Sequence, residues 1–196
     1  MGLVRQFLRQ LRPALVAIVT LTLVCGLLYP LLVTAVAQTA FGQTADGSLL
    51  SEHGRIVGSS LLGQRFNAAD YFHPRPSAAG DGYDGQASGA SNMGPANPDY
   101  LNAVAERVRA YREQNHLPAE MPVPADAVQA SGSGLDPEIS IANARLQAPR
   151  VASERNLALS EVLALVDENT RQRPLGILGD PGVNVLQLNL ALDRAG

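Results

Sequence analysis

The chain has no lysine. Every fixed positive charge is therefore an arginine. Three chemistries drop out together: a phosphate loop of the Gly-Lys-Ser/Thr kind, a Schiff-base lysine and a Ser-x-x-Lys nucleophile. Cysteine is nearly absent as well. The one thiol, Cys25, lies in an apolar stretch, so no disulfide staples the later residues, and a domain of about 150 residues buries enough core to do without one. Charge is missing over a long run too: no charged side chain occurs between Pro13 and Ala45. Ahead of that run stand Arg5, Arg9 and Arg12, and no acid precedes Asp46. All eighteen acids come after it against twelve arginines. That leaves the later part mildly acidic, at about −6, the opposite of what a nucleic-acid binder needs.

What is present instead is a membrane span. Residues 14–37 are rich in Leu, Val and Ile and long enough for one helical crossing of roughly 30 Å of hydrocarbon. The arginine excess before it keeps residues 1–13 in the cytoplasm and sends 38–196 to the far side. A cleaved secretory signal, with Ala35-Val36-Ala37 as the cleavage site, is the rival. Its apolar core would be far longer than the usual 7–15 residues, so the expectation is an uncleaved anchor. Within the span, Gly26, Tyr29 and Pro30 are unusual. Proline kinks a membrane helix and glycine allows close approach, so these three are the candidate subunit-packing residues.

Beyond the span the pattern predicts an α+β domain. Arg55–Gln64 reads as a short strand entering a turn. Residues 67–98 are poor in aliphatics and rich in Gly, Pro, Ser and Asn, with Phe66, Tyr71, Phe72 and Tyr83 as anchors of an ordered loop. A helix is expected from Pro98 to about Asn115, capped by Asn97, with Leu101, Val104, Val108 and Tyr111 on its buried face. A short helix is expected at 125–129, then a tight loop over Ser131–Pro137. Ser140 should cap a helix that Pro149 interrupts, and Ser160 a helix to about Thr170 that buries Val162, Leu163, Leu165 and Val166. Val183–Leu192 alternates apolar and polar residues and reads as a half-buried strand.

No constellation of reactive residues stands out. Ser131-Gly132-Ser133-Gly134 lacks the first glycine of a nucleophile elbow. His53, His73 and His116 are far apart in sequence and none pairs with a second ligand at helical spacing, and Asp81–Gly85 lacks the alternating acids of a calcium loop. Glycines such as Gly132 and Gly134 allow backbone N–H groups to cradle an anion, a weak signal alone.

Taken together, however, the motifs resemble a known family. They run in fixed order: Gly26–Thr34, Gly47-Ser48-Leu49-Leu50, Val57–Gln64, Tyr71–Ser77, Ser91-Asn92-Met93-Gly94-Pro95, Ala130–Pro137 and Val183–Leu186. This is similar to the C chain of the Kdp-type potassium-transporting ATPase, over about residues 14–193. His73-Pro74-Arg75 stands where that family more often has His-Gly-Arg, a change confined to one turn. The resemblance implies a non-catalytic subunit in a bacterial inner membrane. Its partners are a channel-like potassium-binding subunit, a P-type subunit that hydrolyses ATP, and membrane lipid. It also implies a chaperone role that raises the pump subunit's affinity for ATP, with Gln64 as the suggested nucleotide contact. An extracytoplasmic domain argues against that direct contact, so ATP is expected through the complex only. The family motifs make Asn92, Gly94, Ser131, Gly132, Ser133, Gly134 and Asp136 the loop candidates. A tethered binding module working alone and a secreted hydrolase remain as alternatives.

Overall fold

One helical path runs from Gly2 to Ala40 in the computed structural model, which describes residues 2–195. Helix α1 (Gly2–Leu21) contains Pro13. Further on, Pro30 has no N–H to give and its ring crowds the preceding turn. The path widens there. Residues Thr22–Leu28 are π-helical and the N–H of Tyr29 reaches back to the carbonyl of Val24. Helix α2 (Tyr29–Ala40) then begins with Pro30 in its first turn, where a missing N–H costs least. The kink anticipated at this proline thus takes the form of a change in hydrogen-bond register. No described side chain of this path is buried, and Arg5–Ala40 is long and apolar enough to cross a membrane. A short helix α3 (Gly42–Ala45) comes next, with Gln38 Nε2 donating to Asp46 Oδ1 at 3.0 Å.

Contacts divide the chain into two compact units between Leu49 and Leu50. In the second, β1 (Leu49–Glu52) and β2 (Arg55–Ser59) pair as a hairpin. From Ser60 to Asn97 the described chain has neither helix nor strand, as its composition predicts. Asn97 Oδ1 accepts the N–H groups of Asp99 and Tyr100 and starts α4 (Pro98–Gln114). Tyr111 of the expected apolar face is buried, and Val104 and Val108 are half-buried. Leu101 is 53 % exposed, against expectation. The helix is held farther along, where Arg107 donates to the Val128 carbonyl, Tyr111 to Asn143 and Arg112 to the Met121 carbonyl. Helix α5 (Ala125–Val128) lies where the short helix is expected.

The core forms between three helices and a small antiparallel sheet. The strands are β3 (Glu138–Ile139), β4 (Thr170–Arg171) and β5 (Gly182–Asn184), in the order β3-β5-β4, with Val183 opposite both Ile139 and Thr170. Around them pack α6 (Ile141–Arg155), α7 (Leu159–Glu168) and α8 (Val185–Ala195), which bury Ala144, Ala148, Val151, Val162, Val166, Leu188 and Leu192 with Phe72. The domain is therefore α+β, with a mixed helix and strand core.

Three expectations need correction. Ser140 does cap α6, its Oγ accepting the Asn143 N–H at 3.1 Å, but Pro149 does not interrupt the helix. Pro149 faces solvent, so the carbonyl it leaves unpaired can turn to water while the buried face holds the helix together. Ser160 lies inside α7. The start of that helix is at Ala158, whose N–H donates to Glu161 Oε2 at 3.2 Å; the expected apolar face is otherwise found. Val183–Leu192 is a strand only as far as Asn184. Asn184 Oδ1 accepts the Gln187 N–H and caps α8, in which Val185, Leu188, Asn189 and Leu192 share the buried face at helical spacing.

Candidate functional site

The long loop is held onto the helices by two carboxamides. Asn189 of α8 accepts the Phe72 N–H at 2.9 Å and donates to the Phe72 carbonyl at 3.0 Å. Gln147 of α6 does the same to His73, at 2.8 and 3.0 Å. Each amide thus pairs with one backbone residue much as a neighbouring strand would, and satisfies a buried segment that has no sheet partner. Between them, Arg150 is 4 % exposed. Its guanidinium donates to Asn115 Oδ1 (3.0 Å), Gln147 Oε1 (2.9 Å), and the carbonyls of Tyr71 (3.0 Å) and Ala69. Burial pushes the Arg150 pKa down from its ordinary value, although nearby Glu154 and Asp70 work against this. The polar chain continues through Asn143, which bonds Gln147, Tyr111 and Asp126, and Asp126 ends on Ser140.

A second hub gathers most of the loop candidates. Ser131 Oγ accepts the Gly134 N–H (2.9 Å) and Ser133 Oγ that of Leu135 (3.1 Å). Asp136 pairs with Arg75 at 2.8 Å and accepts the Glu138 N–H at 3.0 Å. Ser77 Oγ donates to the Gly134 carbonyl at 2.6 Å, and the Gly89 N–H to the Ser133 carbonyl at 2.9 Å. The Val57–Gln64 stretch joins through Gly63, whose N–H donates to the Leu135 carbonyl at 2.8 Å. Gln64 itself folds back: Nε2 donates to the Val57 carbonyl at 3.4 Å and its carboxamide fills the space beside Gly58. The hub brings together Ser131, Gly132, Ser133, Gly134 and Asp136 with Gln64 nearby in sequence. It does not include Asn92, left-handed at φ 52°, or Gly94, both exposed ahead of α4. Gly26, Tyr29 and Pro30 belong to the other unit; the space beside Gly26 holds only the methyl of Thr22, 3.8 Å away.

These contacts describe a rigid scaffold whose polar groups are largely occupied internally; the buried Nε of Arg75 is the exception among the described residues. The Ser133 hydroxyl bonds backbone and Ser131, not a histidine. No three His, Cys, Asp or Glu side chains converge among the described residues. In Asp81–Gly85 the carbonyls of Asp81 and Gly82 already accept from Arg65. A cleft of about 570 Å³ lies beside the sheet and is lined by Ser60, Leu61, Glu138, Thr170, Arg171 and Asn184, among others. Across it Arg171 makes a two-pronged contact with Glu138, at 2.6 and 2.7 Å, and Gly182 beneath leaves the room for it.

Sequence reasoning missed Asn143, Gln147, Arg150 and Asn189. The spacing of the first three, at i, i+4 and i+7, was the available signal, and a break assumed at Pro149 hides it. His73 is held by Gln147 through its backbone, and its ring Nε2 lies 2.9 Å from the Ala68 carbonyl, an acceptor, so that nitrogen carries the proton. Burial lowers the His73 pKa below its usual 6.5, and the Arg150 charge acts in the same direction, while the Ala68 contact opposes both. The unfolded chain therefore binds more protons just below pH 6.5. This stabilisation is complete above that pH and is lost as pH falls through the folded-state pKa. Thermal unfolding should show a smaller loss of stability from pH 7 to pH 5 in His73→Gln than in the wild type; equal losses would contradict the assignment.

The family model described as "K+-transporting ATPase, c chain" matches residues 11–194. Similar chains include potassium-transporting ATPase KdpC subunits of three bacteria. That of Mycobacterium bovis (strain BCG / Pasteur 1173P2) is 58 % identical over 186 residues, covering 95 % of this chain and 98 % of the relative. That of Rhodospirillum rubrum is 55 % identical over 188 residues, covering 95 % and 96 %. That of Beijerinckia indica is 54 % identical over 186 residues, covering 95 % and 94 %. Both the apolar helix and the α+β unit fall within these matches, and the chain belongs to the family of c chains of the K+-transporting ATPase.

Proposed function

We propose that this chain is a non-catalytic accessory subunit of an ATP-driven potassium-uptake complex, where it joins a channel-like potassium-binding subunit to a P-type ATPase subunit. The observation that carries the reading is the family match from residue 11 to 194, which takes in helix and domain as one piece. The internally occupied Ser131 and Ser133 hydroxyls support a structural role for their loop. Any rise in the ATP affinity of the pump subunit then comes indirectly, through subunit contacts. Support for this is the Gln64 carboxamide, turned onto Val57 and Gly58. A secreted hydrolase would want a base on Ser133, whose hydroxyl instead bonds Ser131 and backbone, and a module working alone leaves the family match unexplained. Tagged full-length chain, extracted from membranes in mild detergent, should bring down both other subunits and potassium-stimulated ATP hydrolysis. Recovery of the chain alone would overturn the proposal.

Arg5, Arg9 and Arg12 precede the span without a compensating acid, so the domain lies outside the cytoplasm of a bacterial inner membrane crossed once. Ser88 is exposed. A cysteine in its place, with Cys25 replaced, should react with a membrane-impermeant thiol reagent in cells whose outer membrane alone has been permeabilised. Reaction only after the inner membrane is lysed would reverse the orientation and restore direct nucleotide contact as an option.

A further inference from the structure

The connection between β4 and β5 presents its apolar side chains to solvent. Every residue from 171 to 180 is exposed; Leu175 is 87 % and Ile177 75 % accessible, with Leu178 beside them. The loop is nevertheless ordered by its own bonds. The Gly176 N–H donates to the Arg173 carbonyl at 2.9 Å and the Leu178 N–H to the Pro174 carbonyl at 3.1 Å. Arg173 closes the base on Asp180 at 2.6 Å, and Arg171 is clamped to Glu138. At the tip Leu175 has φ +55°, a left-handed conformation that a leucine adopts at a cost and that Gly or Asn would adopt cheaply. A turn that only had to reverse the chain would have no use for leucine there. Across the sheet cleft, Leu61 and Leu62 are also exposed, and Leu61 lines the cleft with Arg171.

We infer that the 172–181 loop is a preformed apolar plug that docks into a groove of another protein chain, apolar at its centre and neutral or basic at its rim. This rests on the accessory-subunit reading and places the partner in the same complex. Charge decides between occupants. A loop that dips into anionic lipid is ordinarily backed by unpaired basic residues. Here Arg171 and Arg173 are both neutralised by acids, and the residues from Asp46 onward carry about −6. A second copy would bring the same negative charge, and a protruding tip does not complement itself across a two-fold axis. A non-acidic groove on a different chain satisfies both conditions, and the paired arginines leave no charge stranded when the tip is buried.

The test uses the full-length tagged chain expressed with the other subunits. Leu175→Asn combined with Ile177→Gln keeps a residue that tolerates the left-handed tip and removes the aliphatic surface. Co-purification of partner subunits should fall at least about tenfold, while the thermal midpoint of the domain stays within a few degrees of wild type. Leu101→Asn, an exposed leucine on α4, should leave recovery unchanged. A photo-crosslinking residue placed at Leu175 should form an adduct with one of the other subunits. Wild-type recovery by the double variant, with the wild-type complex intact, would overturn this inference and leave the accessory role standing. An adduct to lipid or to a second copy would equally overturn it. A wild-type chain that brings down no other subunit would remove both readings.

Discussion

Arg150→Leu is expected to destabilise the α+β domain by about 3–5 kcal/mol, a large share of the ~5–15 kcal/mol typical of a folded domain. The arginine is almost wholly buried, and its donors satisfy the carbonyls of Ala69 and Tyr71 and the side-chain oxygens of Asn115 and Gln147. Leucine fills part of the volume and bonds none of them. Gln147 Oε1 keeps the His73 N–H, but the buried Asn115 Oδ1 loses its partner at about 1–3 kcal/mol, and the carbonyls of half-buried Tyr71 and exposed Ala69 lose theirs at a smaller cost. Losing the charge itself returns some free energy, because its burial is costly. Arg145→Leu on the same helix is the comparison. Its ion pair with Asp167 is exposed and long, at 3.2 Å, so about 0–1 kcal/mol is expected. Chemical denaturation followed by circular dichroism should separate the two variants widely. Equal midpoints would mean that the arginine is incidental to holding the loop.

Much of the architecture was legible because it rests on local rules. The apolar span comes from a run without charge, and α4 from Asn97 and Pro98 at its start. The irregular stretch before it comes from glycine, proline and serine in place of aliphatics. The failures arose where one local rule was outvoted by another or by packing. Alternation in Leu186–Leu192 fits a strand, but Leu, Gln and Ala favour helix, and Asn184 offers a cap just ahead. Proline usually ends a helix, yet Pro149 lies on the exposed face, as does Arg145 whose carbonyl it leaves unpaired, while Asn143, Gln147 and Arg150 anchor the opposite face. The same error hid those three polar residues, because a buried stripe is visible only on an unbroken helix. Asn189 was hidden in the same way. On a strand it would sit with Gln187 on the polar face, whereas on a helix it joins Val185 and Leu192 in the core.

The loop candidates were found through family motifs, and their geometry gives those motifs a physical meaning. Val57–Gln64, Tyr71–Ser77 and Ser131–Pro137 are distant in sequence but meet through Gly63, Ser77 and Gly134. Asn189 and Gln147 then tie the middle segment to the helical core. If the chain holds two larger partners in register, as proposed above, its surface loops need to be fixed without a sheet beneath them. Here backbone-to-side-chain hydrogen bonds supply that fixity.

Gly132→Ala and Gly134→Ala, two positions apart in the same loop, should have opposite outcomes. At Gly134 the backbone is left-handed, with φ +68°, and an added Cβ would lie 2.7 Å from both the Ala79 nitrogen and the Gly89 carbonyl oxygen. Both neighbours are backbone, so neither yields by a rotamer change. The left-handed conformation costs alanine about 1–2 kcal/mol, and the overlap about 1–3 kcal/mol more. The substitution should therefore remove ~3 kcal/mol and loosen the Ser77 and Ser88 contacts to this loop. At Gly132 nothing lies within 4 Å and the φ angle is not in the left-handed range. Alanine there restricts the unfolded chain at no steric cost, and stability should stay level or rise by up to ~1 kcal/mol. Amide hydrogen exchange at Gly89, whose N–H is bound to the Ser133 carbonyl, reads the loop directly. Exchange should accelerate in Gly134→Ala and stay slow in Gly132→Ala. If both alanines are tolerated alike, the hub is looser than its hydrogen bonds imply, and the Ser131–Pro137 motif serves something other than holding the three loops together.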